Sequence, residues 1–190
     1  MSPKVSVLVV TFNRSNLLSR AVQSVLDQDF RDWELIVADD GSTDATGKVC
    51  QEWEIKDRRI KYLKAPHFGR IAKISNFGLK SAKGDYVAIL DDDDRWIDQK
   101  KLEKQVKFLD KNKEYVGCGG GFVVIDISGE EKLWVMKPEK DEQIKKNALV
   151  ANPMANATTL FRFETAKNVG LYDETMLQFA DWDFWLKMGL

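Results

Sequence analysis

The chain has 190 residues, 44% hydrophobic and 31% charged, which fits one ordinary soluble domain with room for a core. A net charge of -1 offers no basic excess to nucleic acid, and a single histidine, His67, argues against a histidine-based zinc site or a Ser-His-Asp triad. No run approaches the roughly 18 apolar residues of a membrane span, Met1-Ser2-Pro3-Lys4 does not open a signal peptide, and the expected location is cytoplasmic.

Val5 to Val10 is a β-branched run, as expected for a strand buried on both faces. Thr11-Phe12-Asn13-Arg14-Ser15 supplies a turn and a helix N-cap, and Leu18, Ala21, Val22, Val25 and Leu26 then form a core-facing helical stripe. Glu34 to Ala38 is a second strand. It ends in Asp39-Asp40-Gly41-Ser42-Thr43-Asp44, a loop that caps a helix carrying Val49, Cys50 and Trp53. Cys50 and Cys118 read as small core residues, not as a disulfide. Ile60 to Leu63 is a short strand, Ile71 to Ala82 a helix, and Tyr86 to Leu90 a fourth strand that runs into Asp91-Asp92-Asp93-Asp94.

Four consecutive carboxylates repel one another. Hard divalent ions take oxygen ligands, often one or two carboxylates plus substrate phosphates. The run is therefore a candidate Mn²⁺ or Mg²⁺ site, against the plainer reading of a solvated acidic turn that caps the next helix. Alternating strands and helices give an α/β fold with a mainly parallel central sheet flanked by helices on both faces. Ligands in such folds bind beyond the carboxyl ends of the strands. Those ends carry Thr11 and Asn13, Asp39 and Asp40, and the acidic run, so three polar loops converge on one crevice.

Leu102, Val106 and Leu109 form the next helical stripe, with Lys100, Lys101, Lys104 and Lys107 on a solvated face. Tyr115 to Ile127 is a strand region ending in a Ser128-Gly129 hairpin turn. Gly119-Gly120-Gly121 lacks the Lys-Ser/Thr of a P-loop and marks a close backbone approach, to a ligand or to a neighbouring strand. Lys132 to Lys146 reads as a mobile polar connection, Asn156 to Arg162 as a turn entering a strand, and Gly170 to Glu174 as a turn. Asp181, within Phe179-Ala180-Asp181-Trp182-Asp183-Phe184-Trp185-Leu186, is either a helix cap or a general base beside aromatic walls. The chain stops at Gly189-Leu190 inside a helical pattern, as a truncated protein would.

Several of these motifs resemble one family in order and spacing. They are Pro3 to Val7, Thr11-Phe12-Asn13-Arg14, Asp39 to Asp44, Ala82-Lys83-Gly84-Asp85-Tyr86, Leu90 to Asp94, Val169 to Glu174 and Asp181 to Leu186. The resemblance is to family 2 glycosyltransferases and covers essentially the whole chain. It implies a GT-A, Rossmann-like fold in a single domain over residues 1–190. Residues 1–94 would be a nucleotide-binding half and residues 95–190 a half for acceptor and base, truncated at its end. It implies an inverting transfer from a nucleotide-diphosphate sugar, UDP favoured, to a carbohydrate or lipid-linked hydroxyl acceptor in glycan or polysaccharide synthesis. Peripheral association with the inner face of a membrane is compatible with this.

By the same resemblance Thr11, Phe12 and Asn13 line the nucleotide pocket, and Asp40, with Asp39 alongside, accepts a uracil N3–H. Asp91-Asp92-Asp93 looks like the DxD-type motif: Asp93 on the metal, Asp92 near the ribose, Asp91 in support. Asp94 has no assigned part and is the member most like a helix-capping acid. Asp181 matches the catalytic base. Two positions depart from the pattern. Ser75 stands where an Arg near the diphosphate is usual, leaving Lys73 or Arg70 to substitute, and Ala180 stands where Glu commonly precedes the base. A nucleotidyltransferase would also place nucleotide and metal at such an edge, but no glycine-rich basic loop follows the first strand. A non-catalytic nucleotide-sugar-binding subunit is the reading from a different class.

Overall fold

The computed structural model describes residues 2–189; Met1 and Leu190, which the reading of the chain ends invoked, lie outside it. The first half alternates as expected: β1 (Val5–Thr11), α1 (Ser15–Leu26), β2 (Trp33–Asp39), α2 (Thr46–Lys56), β3 (Ile60–Lys64), α3 (Ile71–Leu79) and β4 (Tyr86–Asp91). The second half contains α4 (Lys101–Lys111), β5 (Gly117–Cys118), β6 (Phe122–Ile125), β7 (Glu131–Val135), α5 (Asp141–Asn147), a 3-10 turn at Asn156–Thr158, β8 (Leu160–Arg162), α6 (Phe163–Asn168) and α7 (Ala180–Gly189).

The main sheet has six strands in the order β3-β2-β1-β4-β8-β5. β1, β2, β3 and β4 run parallel, while β8 is antiparallel to both β4 and β5. Successive side chains of a strand face opposite ways, and both faces are covered. Val5, Val7 and Val9 pack with Leu18, Val22 and Val25 of α1 and Leu102, Val106 and Leu109 of α4. Leu8 faces the other way, into a core with Ala72 and Ile74 of α3 and Phe184, Trp185 and Met188 of α7. Each large side chain buried in this way contributes about 1.5–3 kcal/mol. Gly78 lets α3 lie close to the sheet, since a Cβ there would stand 2.5 Å from Leu8 Cδ1 and 3.0 Å from the Ala38 Cβ. Cys50 is buried in the core and Cys118 half-buried; both are free thiols.

Three expectations change. α3 stops at Leu79 instead of Ala82, because Ser81 and Ala82 donate to the carbonyls of Gly78 and Leu79 in a closing turn. Lys132 to Lys146 is not a connection: β7 pairs antiparallel with β6, and α5 follows. The hairpin is exposed on much of both faces, which hides strand alternation in the sequence. Asp126 Oδ1 accepts from the Ser128 and Glu130 N–H groups at 2.8 and 3.0 Å, closing the expected turn. α5 carries Asp141 and Glu142 in its first turn and Lys145 and Lys146 in its last, which suits the helix dipole. Lys101 leaves the solvated lysine face. It lies 3.9 Å over the Trp96 ring and donates to Gln105 Oε1 at 2.8 Å, and burial pushes its pKa down to about 7.

Candidate active site

The register sets the site. Thr11 pairs with Asp39, and Val10 with Asp91, so the last residues of β1, β2 and β4 stand side by side at one edge. The loops that follow are tied to each other. Ser42 Oγ accepts from Asn13 N–H at 2.8 Å, and Asn13 Oδ1 accepts from Thr43 N–H at 2.8 Å. Asn13 holds a φ of 54°, a left-handed conformation that Asn tolerates better than most residues. α1 receives no cap from its own loop. Asp44 of the neighbouring loop accepts from Thr46 N–H at 2.9 Å and, at 3.4 Å, from Ser15 N–H.

Asp39 and Asp40 are both buried and already engaged. Asp39 Oδ1 accepts from Ser42 N–H at 2.8 Å and Oδ2 from the Tyr62 hydroxyl at 2.6 Å. Asp40 Oδ1 accepts from Phe68 N–H at 2.7 Å and Oδ2 from Gly69 N–H at 3.0 Å. His67 Nδ1 lies 2.9 Å from the Asp40 carbonyl, and the His67 ring stacks on Phe12 with centroids 4.4 Å apart. Both rings are exposed, giving an aromatic wall at the mouth of the loops. Thr11 is buried, and its hydroxyl makes no well-aligned hydrogen bond.

Lys73 is half-buried on α3 and Ser75 is buried. Arg70 reaches the carbonyls of Glu174 and Thr175 at 3.4 and 3.3 Å. Asn76 donates to Tyr172 O at 2.8 Å and to Glu174 Oε1 at 3.0 Å, and accepts from Tyr172 N–H at 3.2 Å. The Gly170 to Glu174 turn is thus fastened to α3, which fixes where the chain starts toward Asp181.

The acidic run forms a tight turn, with Asp94 N–H donating to Asp91 O at 3.1 Å. Arg14 Nη1 bridges Asp92 Oδ1 at 3.0 Å and Asp93 Oδ2 at 2.7 Å. Asp91 still reaches solvent but is walled by protein on most sides. That partial desolvation, then the charges of Asp94, Asp93, Asp92 and Asp181, push its pKa up to about 7. Asp92 and Asp94 are also raised, mainly by burial, although Thr11 and Arg14 oppose the rise at Asp92. Asp94 is not a helix cap: α4 does not begin until Lys101, and Asp98 Oδ1 accepts from the Lys100 N–H ahead of it. Asp94 instead joins Asp91, Trp96, Lys101, Trp134 and Asn152 around a cavity of about 670 Å³. Gly119, Gly120 and Gly121 line it too, and a Cβ at Gly121 would meet Met136 and the Val135 carbonyl, so the close approach is to the end of β7.

These carboxylates fit a hard divalent cation. Every donor is an oxygen, and a cation would relieve the repulsion that adds to desolvation in raising Asp91. Among the described residues no three acidic, histidine or cysteine side chains close on one point. Such an ion would therefore need further oxygens, such as those of a diphosphate.

Asp181 lies in the first turn of α7, just after Phe179, whose φ is 60°. Its Oδ2 accepts from Asn152 Nδ2 at 2.7 Å, so its carboxylate is held by a side chain from outside the helix. It is near enough to Asp91 to raise that group's pKa. Ala180, at the position where Glu is common, is 2% exposed. The structure thus brings Thr11, Phe12, Asn13, Asp39, Asp40 and Asp91 to Asp93 to one edge, with Asp181 next to it. Arg14, Tyr62, His67, Asn76 and Asn152 shape this site without having been singled out from the sequence. For Arg14 a signal existed in its position directly after the Thr-Phe-Asn loop.

A Rossmann-like sheet with carboxylates gathered at the carboxyl end of its central strands, extended by an antiparallel strand, is the GT-A architecture. Residues 6–170 match the model for Glycosyl transferase family 2, and the chain belongs to that family. EpsE of Bacillus subtilis strain 168 is 32% identical over 189 residues, covering 97% of this chain and 66% of EpsE. The GalNAc(5)-diNAcBac-PP-undecaprenol beta-1,3-glucosyltransferase of Campylobacter jejuni is 34% identical over 175 residues, covering 90% of this chain and 56% of that protein. The chain therefore spans less than two thirds of the length of either relative. Among solved structures, S. aureus TarS 1-349 superposes with a TM-score of 0.75 at 24% identity, covering 97% of this chain and 55% of that fragment. The mannosyltransferase PcManGT of Pyrobaculum calidifontis, solved with GDP-Man and Mn²⁺, superposes with a TM-score of 0.75 at 19% identity, covering 99% and 52%. At these identities the two structures speak for the fold.

Proposed function

We propose that this chain is the donor-binding and catalytic part of a metal-dependent, inverting glycosyltransferase. It would move a sugar from a UDP-sugar to a hydroxyl of a carbohydrate or lipid-linked acceptor in glycan synthesis. One observation carries the reading: the crowded carboxylates that end β4, of which Asp91 and Asp94 line one cavity, stand near a separate carboxylate, Asp181, that is hydrogen-bonded to Asn152 of the same cavity. Inverting transfer needs this division, with one group for the departing diphosphate and another for the incoming hydroxyl.

In this reading residues 1–94 hold the donor and residues 95–190 present the acceptor and the base. Thr11, Phe12 and Asn13 line the nucleotide pocket. Asp39 and Asp40 hold its walls through Ser42, Tyr62, Phe68 and Gly69. A carboxylate oxygen keeps a second lone pair, and that of Asp40 is the acceptor for a uracil N3–H. Asp92 lies toward the ribose and Lys73 toward the diphosphate. Asp93, supported by Asp91, would hold Mn²⁺ or Mg²⁺, which when bound offsets the charge on the leaving diphosphate. Asp181 takes the acceptor proton. The acceptor oxygen then bonds to the anomeric carbon as the bond from that carbon to the diphosphate oxygen breaks on the opposite face.

The structural neighbours support the donor class, since TarS has been solved with UDP and with UDP-GlcNAc and PcManGT with GDP-Man and Mn²⁺. The PP-undecaprenol in the Campylobacter relative's name supports a lipid-linked acceptor, and with it a peripheral place at the inner face of a membrane. Among the described residues no helix is long and apolar enough to cross a membrane.

A thermal-shift panel of UDP, GDP and their sugars, with and without Mn²⁺, tests the reading. A ligand that binds the native state raises Tm by mass action. We expect a rise that needs both nucleotide-sugar and Mn²⁺ and is larger for UDP than for GDP. A chain that answers to no nucleotide in the presence of metal overturns the proposal.

A further inference from the structure

We propose that Asn152 is a positioning residue for Asp181, turning one carboxylate oxygen away so that the other faces the acceptor hydroxyl. This rests on the reading of Asp181 as the base. Asn152 lines the cavity, and its Nδ2 donates to Asp181 Oδ2 at 2.7 Å. The amide cannot simply flip, because its Oδ1 accepts from Met154 N–H at 3.1 Å. With that oxygen facing an N–H, the nitrogen must face the carboxylate.

The backbone under Asn152 is stiff. It precedes the buried Pro153, and a residue before proline is confined to extended conformations. Its carbonyl accepts from Lys137 Nζ at 3.0 Å. The same segment is tied to α7 a second time, where Trp182 Nε1 donates to Ala148 O at 2.6 Å. Asn152 thus presents one fixed N–H from a clamped segment to a carboxylate in the first turn of a helix, whose torsions would otherwise be free. The effect is directional. With Oδ2 sharing its lone pairs with the amide, Oδ1 is the oxygen with both lone pairs open to a proton, and a misplacement of about 1 Å at such a group costs on the order of 10²-fold in rate.

Asn152→Asp separates this role from packing. It keeps the shape and the acceptor for Met154 N–H, removes the donor and sets a like charge against Asp181. Asn152→Ala removes the donor without adding charge. Turnover is read as UDP release from the UDP-sugar that gives the largest thermal shift, with water as acceptor. We expect kcat to fall about 100-fold in Asn152→Asp and less in Asn152→Ala, while the donor KM and the UDP-induced Tm shift stay within about twofold. A second readout needs no turnover. The Asn152 side-chain amide signal, identified by its loss in Asn152→Asp, should move in Asp181→Ala. An amide that does not move, or an Asn152→Asp protein with unchanged kcat beside an inactive Asp181→Asn, overturns the positioning role and leaves Asp181 as base. An Asp181→Asn protein that still releases UDP at the unsubstituted rate overturns the parent reading instead.

Discussion

The two edges of the sheet treat their acids in opposite ways. At the amino edge Glu34 is 4% exposed, and Ser6 Oγ and Lys83 N–H both donate to its Oε1 at 2.7 Å, with Lys61 on the other oxygen. Burial alone would raise its pKa, but these donors hold it below the usual value. At the carboxyl edge Asp91 has acids for neighbours, and its pKa rises to about 7. Glu34 is satisfied from within, so it works as cement between β1, β2 and the turn before β4. Among the described residues the ion pairs made by the Asp91 cluster are those of the Arg14 bridge to Asp92 and Asp93. An acid cluster left in that state is suited to an external positive charge.

Removing the cement should have the largest effect. Glu34→Ala strands Lys61 and the Lys83 N–H and should cost about 3 kcal/mol of unfolding free energy at pH 7, measured by urea denaturation. Because the folded pKa is depressed, that stabilisation is present above the ordinary glutamate value near 4.3 and is lost as pH falls through the folded value. The gap between the two proteins should therefore close in acid, and a gap that persists at pH 2 would show that Glu34 acts by packing alone.

Asp91→Asn should act in the other direction. Asp91 has a folded pKa above its ordinary value, so the folded state binds the proton more tightly. The protein then loses stability as pH rises from about 4 to about 7. The amide escapes this penalty. After discounting for solvent at this open site, metal-free Asp91→Asn should gain about 1–2 kcal/mol at pH 8 and nothing at pH 4. A Tm difference that does not change with pH would break the contrast. The smallest effect belongs to Arg14→Ala, whose pairs are half-exposed on the arginine side. It should change stability by less than about 1 kcal/mol in the same titration.

The strands that build the donor edge were legible because each is a continuous apolar run bounded by polar turn residues, and burial on both faces demands that pattern. The acidic run stood out as a candidate site because four carboxylates in a row seldom end a buried strand. The parts that escaped are held by partners remote in sequence. Nothing near Ser15 says that its N–H is met by Asp44. Nothing in Asp39-Asp40 says that their oxygens already hold Tyr62, Phe68 and Gly69. β7, the return strand of the hairpin whose turn was expected at Ser128-Gly129, escaped for a different reason: strand alternation shows only when one face is buried, and β7 is exposed along nearly all its length.

The place of β8 has a consequence for how such a protein can diversify. β8 pairs directly with both β4 and β5, so the chain from Gly119 to Thr159 leaves the sheet at β5 and returns to the strand beside it. Topologically it is one long detour with neighbouring anchor points. Lengthening a detour of this kind costs little entropy, about 0.6 kcal/mol for each doubling. Its contents, including Trp134 at the cavity, can thus be rewritten while the four parallel strands and the Asn152 contact to Asp181 stay as they are.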